Sequence, residues 1–109
     1  MLDKSYPGDF VYPRTFQSES AGKLAKSFIS GQQEHVFSAL KHFPGYTTVD
    51  FDPERDKLAE LDFMPEIIQF KKAMEADPPM VMTSNVVYNK LSNYPLTMSS
   101  EGIDFVRKE

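Results

Sequence analysis

Eight prolines punctuate this 109-residue chain. Proline lacks the amide donor that a helix interior needs and pushes the residue before it toward extended backbone. Together with the Gly and Asp residues beside them, the prolines therefore set where helices begin and end. Pro7 and Pro13 stand in a doubled pattern, Tyr6-Pro7-Gly8-Asp9-Phe10 followed by Tyr12-Pro13-Arg14-Thr15-Phe16. No helical or alternating apolar period accompanies it, so residues 1–17 are expected to form an extended arm. In a polyproline conformation the offset between the copies is about two turns, which points Tyr6 and Tyr12 the same way and likewise Phe10 and Phe16. Aromatic rings are not left in water without reason, so these four are expected as anchors on the chain's own core, on a second copy or on a partner.

From residue 18 to residue 109 the pattern is that of one globular domain. Ala21, Leu24, Ala25 and Phe28 recur at helical spacing, which predicts a helix over 19–29. Ser30 and Gln33 have capping-box spacing ahead of Val36, Leu40 and Phe43, predicting a second helix that Pro44-Gly45 ends. Thr47, Val49 and Phe51 alternate and predict a short strand over 46–52. Asp52-Pro53 reads as an N-cap with proline in the first turn, starting a helix over 53–62 that buries Leu58 and Leu61. Pro65 opens the next helical stretch, with Ile67, Phe70 and Met74 along one stripe and Asp77-Pro78-Pro79 as the stop. Beyond it the pattern predicts a strand over 80–82, a helix over 84–92 on Val87 and Leu91, and a strand over 103–106. The expected fold is α+β and α-dominated: four or five short helices, one or two short strands and the N-terminal arm.

Composition narrows the functions. With 40% hydrophobic and 26% charged residues the chain is ordinarily globular, and with no Cys it has neither disulfides nor thiol chemistry. It has no apolar run long enough to cross a bilayer and no secretory n-region or h-region in residues 1–20, so a cytoplasmic protein without membrane contact is expected, or one of host cytoplasm or virion if viral. The net charge of −4 is concentrated, because residues 50–77 hold nine acids against four bases. Without a basic footprint, nucleic acid is a disfavoured partner.

No motif names an activity. The run Asp50, Asp52, Glu54, Asp56 begins like a calcium loop, but Arg55 stands where that loop needs Gly and Leu61 stands at its twelfth position. His35 and His42, seven apart, lie too far along a helix to share a metal and read as helix-surface histidines. No Gly-x-Ser-x-Gly elbow and no phosphate-cradling glycine loop is present. The expectation is accordingly a non-enzymatic protein without metal or cofactor, binding another protein or itself as an accessory or assembly component of viral or mobile-element type. Its contacts are Tyr6, Phe10, Tyr12 and Phe16 on the arm and Asp50, Asp52, Glu54, Asp56, Glu60 and Asp62 on an acidic surface. Three alternatives stay open: an acidic inhibitor imitating nucleic acid, a helix-turn-helix DNA-binding regulator using residues 84–106, and a small hydrolase with a carboxylate site such as Asp50 with Asp62.

Overall fold

The computed structural model describes residues 7–10, 12–14 and 21–109. Among these residues the α-helices are α1 (Ala21–Gln32), α2 (Ile68–Met74) and α3 (Ser100–Lys108), and the strands are β1 (Ala39–Phe43), β2 (Ala59–Leu61), β3 (Met80–Thr83) and β4 (Val86–Tyr88). Single 3₁₀ turns cover Tyr12–Arg14 and Leu96–Met98. The strands form two parallel pairs, β1 with β3 and β2 with β4. A parallel pair requires a crossover connection, and α2 lies within both crossovers. Each ladder runs one step past its strands, through Ser84 N–H to the Phe43 carbonyl at 2.9 Å and Asn89 N–H to the Leu61 carbonyl at 2.9 Å.

Two apolar clusters hold these pieces. In the first, Ile29, Leu40, Phe43, Phe70 and Ala73 pack α1 and α2 onto β1. In the second, Tyr46, Val49, Ala59, Leu61, Val86, Tyr88 and Leu96 surround the β2–β4 pair, and Phe10 of the arm leans on it. Phe105 and Val106 of α3 touch both. Helices α1 and α2 approach closely at Gly22, where a Cβ would stand 2.7 Å from Lys72 Cβ and 2.9 Å from the Gln69 carbonyl oxygen. Beside that contact Glu75 receives the Lys26 ammonium at 2.7 Å and the Lys72 ammonium at 2.8 Å.

The structure corrects the expected fold. It remains a small α+β chain, but with three helices and four strands among the described residues rather than four or five helices with one or two strands. The helix expected after Ser30 does not form, because α1 runs on to Gln32 and residues 39–43 become β1. The buried face of α1 is Ala21, Gly22 and Ile29, while Leu24 and Phe28 are exposed. No strand forms over 46–52. The helix expected over 53–62 is a single turn in which Asp52 accepts from Glu54 N–H at 3.0 Å, followed by β2. Residues 86–88 are strand, which removes the first helix of the helix-turn-helix reading. Residues 103–106 belong to α3, whose N-cap Ser99 accepts from Gly102 N–H at 2.9 Å. These segments carry apolar residues at spacings that suit helix or strand, and tertiary pairing chose between them. The strand at 80–82 and the stop at Asp77-Pro78-Pro79 agree with the sequence reading.

Candidate functional site

In parallel sheets ligands collect beyond the carboxyl ends of the strands. Here the carboxyl end of β1 carries Lys41-His42-Phe43-Pro44-Gly45-Tyr46. The β1–β3 register places Lys41 opposite Met82 and Phe43 opposite Thr83, so the pairing slips by one residue at His42. Such a bulge re-aims a side chain. Phe43 thereby joins Leu40 on the face that packs against the helices, as both belong to the same core cluster. His42 is turned to stack on Tyr46, with ring centroids 4.6 Å apart and planes within 9°. Both rings are buried. The Lys41–His42 and Phe43–Pro44 peptides are cis.

Lys41 has a different setting. It shares the outward face of the β1–β3 pair with Ala39, Met80 and Met82, and both methionines are 47% exposed. Parallel sheets usually bury both faces, so this uncovered face, with one ammonium among apolar side chains, stands out.

The loop after β1 is fastened on two sides. Gly45 has φ 130°, a backbone region that glycine tolerates and L side chains resist, and Thr48 has φ 67°. Thr48 N–H donates to Asp9 Oδ2 at 3.2 Å, and Phe10 N–H donates to the Val49 carbonyl at 2.6 Å. The second half of the first Tyr-Pro-x-x-Phe copy is thus a strap across this loop. On the inner side, Tyr88 Oη donates to the Gly45 carbonyl at 2.7 Å and lies 2.6 Å from Ser84 Oγ.

The residues expected to make contacts fall in several places. Tyr6 and Phe16 lie outside the described residues. Phe10 packs on the chain's own core, and Tyr12 is exposed in its 3₁₀ turn. Asp50, Glu54, Asp56, Glu60 and Asp62 are exposed, and Asp52 is half-buried. Several of these carboxylates also serve local structure. Asp56 Oδ2 accepts from Asp52 N–H at 3.0 Å, and Asp62 Oδ1 accepts from Asn89 Nδ2 at 2.8 Å. Asp50 and Asp52 lie in the loop after β1, whereas Asp62 follows β2. Of the two histidines, His35 is exposed just beyond α1, and His42 is a buried strand residue rather than one on a helix surface. Among the described residues no three His, Cys, Asp or Glu side chains converge as metal ligands do.

The sequence profile of the glycosyl hydrolase family 3 N-terminal domain matches residues 10–109. The chain belongs to glycosyl hydrolase family 3. Beta-hexosaminidase A of Pseudoalteromonas piscicida is 38% identical over 82 residues, covering 66% of this chain and 13% of that protein. The family 3 chain therefore spans a small part of the length of this curated relative. No solved structure matches it.

Family 3 membership overturns the expectation of a non-enzymatic accessory, assembly or viral protein, and with it the inhibitor that imitates nucleic acid. Of the alternatives the sequence left open, the family favours the hydrolase. Sequence reasoning places Lys41 to Phe43 on a helix rather than on β1. Val36, Leu40 and Phe43 drew them into a helix pattern, although Phe43-Pro44-Gly45-Tyr46 already marked an aromatic-proline turn at the end of an apolar run. As to membranes, no helix among the described residues is long and apolar enough to cross one.

Proposed function

We propose that this family 3 chain forms the sugar-contacting wall at the carboxyl end of β1 in a glycoside hydrolase that acts on N-acetylhexosaminides. The family match across residues 10–109 carries this reading, and the name of the curated relative supplies the substrate class. The local chemistry supports it. The Lys41 ammonium offers three donors to hydroxyl or acetamide oxygens. Met82, opposite Lys41 in the pair, gives an apolar surface against which a sugar ring or an acetamide methyl rests.

Glycoside cleavage generally uses two carboxyl groups across the scissile bond, one protonating the leaving oxygen and the other acting as nucleophile or activating water. In this reading Asp50 and Asp52, in the loop that follows Lys41 to Tyr46, are this chain's candidates for such a carboxyl group.

The test is calorimetric titration of the chain with N-acetylglucosamine and with glucose, repeated for Lys41→Ala. Preference for the N-acetyl sugar and a loss of about tenfold or more in Lys41→Ala are expected, since hydrogen bonds to a charged group contribute about 1.5–3 kcal/mol. Equal affinity for the two sugars, or an unaltered affinity in Lys41→Ala, would overturn the reading.

A further inference from the structure

Ser84 and Tyr88 are the most deeply buried polar pair in the described chain, at 0% and 1% exposure. Their hydrogen bonds run in one direction. The single Tyr88 hydroxyl proton goes to the Gly45 carbonyl at 2.7 Å, so the 2.6 Å contact with Ser84 is made by the Ser84 proton donated to Tyr88 Oη. Ser84 also uses its backbone, whose N–H donates to the Phe43 carbonyl at 2.9 Å. The carbonyls on either side of Pro44 are therefore both held from the β3–β4 link, one by the Ser84 amide and the other by the Tyr88 hydroxyl. The segment between them joins the two stacked rings, His42 and Tyr46.

Burying two hydroxyls contributes little to stability when an apolar pair of similar shape fills the same space about as well. What a satisfied buried relay supplies instead is a single defined arrangement. We infer that Tyr88, backed by Ser84, is a positioning residue: through the Gly45 carbonyl it sets the turn that holds His42 against Tyr46 and so aims the sugar-contacting segment. Its consequence for sugar binding rests on the proposed function. Neither hydroxyl touches the sugar, and each acts through the loop.

The experiment uses the full chain, with N-acetylglucosamine as the probe, and compares Tyr88→Phe and Ser84→Ala with the unsubstituted protein. The first readout is the NMR shift of the His42 ring protons, which stacking on Tyr46 moves upfield. The second is affinity for N-acetylglucosamine. Tyr88→Phe is expected to bring the His42 signals back toward ordinary values and to weaken binding about tenfold. Ser84→Ala keeps the bond to Gly45 and is expected to change affinity by less than about threefold. If Tyr88→Phe fails to fold, the double variant Ser84→Ala/Tyr88→Phe leaves no hydroxyl unpaired and carries the same comparison. Unchanged His42 signals and unchanged affinity in the folded Tyr88 variants would overturn the inference. A chain that does not bind N-acetylglucosamine, but whose His42 signals move in Tyr88→Phe, would sustain the positioning and overturn the sugar reading.

Discussion

Replacing Gly22 with alanine puts a methyl group where α1 and α2 touch. The new Cβ would lie 2.7 Å from Lys72 Cβ, 2.9 Å from the Gln69 carbonyl oxygen and 3.1 Å from Gln69 Cα. These atoms are backbone or the root of a side chain, so none can swing aside as the end of a flexible side chain does. Ordinary carbon contacts are about 3.5–4.0 Å, and α1 must move from α2 by roughly 0.8 Å, enough to forfeit a quarter to a half of the dispersion energy at the contact. Overpacking of this kind costs about 1–3 kcal/mol, against which alanine in place of glycine returns up to about 1 kcal/mol of helix propensity. The net expectation is a loss of about 1–2 kcal/mol. Gly31 on the same helix is the control, because a Cβ there meets nothing within 4 Å. Gly31→Ala should therefore stabilise, by up to about 1 kcal/mol. Urea unfolding followed by circular dichroism separates the two variants by about 1–3 kcal/mol if the geometry is right. Two equally stable variants, or a more stable Gly22→Ala, would refute the close approach of the helices.

Three further outcomes follow from other contacts. Lys26 and then Lys72 hold the Glu75 carboxylate down to about 2 from an ordinary 4.5, so the stabilisation from this triad is complete above about pH 4.5 and is lost as pH falls toward about 2. Because the groups are exposed the effect is screened by salt, and acid titrations of Glu75→Gln and the parent at low and high ionic strength should converge as the pH drops. Phe43 is fully buried, edge-on to Phe70 at 5.2 Å and tilted against Phe105 at 5.7 Å, so Phe43→Ala should cost about 3–5 kcal/mol and leave little cooperative unfolding to measure. Asp9→Ala removes the acceptor of Thr48 N–H, and hydrogen exchange at Thr48 should accelerate about tenfold while exchange in β4 stays unchanged.

Punctuation was the most legible part of the sequence. Pro44-Gly45 and Asp77-Pro78-Pro79 end elements because of proline and glycine backbone constraints that tertiary structure does not overrule, whereas Asp52 accepts from Glu54 N–H in a single turn and caps no helix. Element type was less legible where strands are three to five residues long. Val36, Leu40 and Phe43 fit a helical stripe by spacing, yet Val36 is exposed and a bulge at His42 puts Leu40 and Phe43 on one strand face. A bulge defeats both the period-two and the period-3.6 pattern. The partners of β1 and β2 lie about forty and twenty-seven residues away in the chain, and no local pattern records that pairing. The candidate site was hidden for the same reason, since His42, Tyr46, Ser84 and Tyr88 meet only after the parallel pairs have formed. The doubled Tyr-Pro-x-x-Phe was visible from the start, and its Asp9 and Phe10 fasten the loop that follows β1.

The most direct measurement is backbone amide NMR of the full chain titrated with N-acetylglucosamine. If the carboxyl end of β1 is the sugar-contacting wall of a family 3 glycoside hydrolase, the shifts that move are those of Lys41, His42, Phe43, Gly45 and Tyr46, together with Thr83, Ser84 and Asn85 across the pair. Saturating sugar that moves none of these amides, or only those from Thr97 to Arg107 in the Leu96–Met98 turn and α3, would contradict that placement.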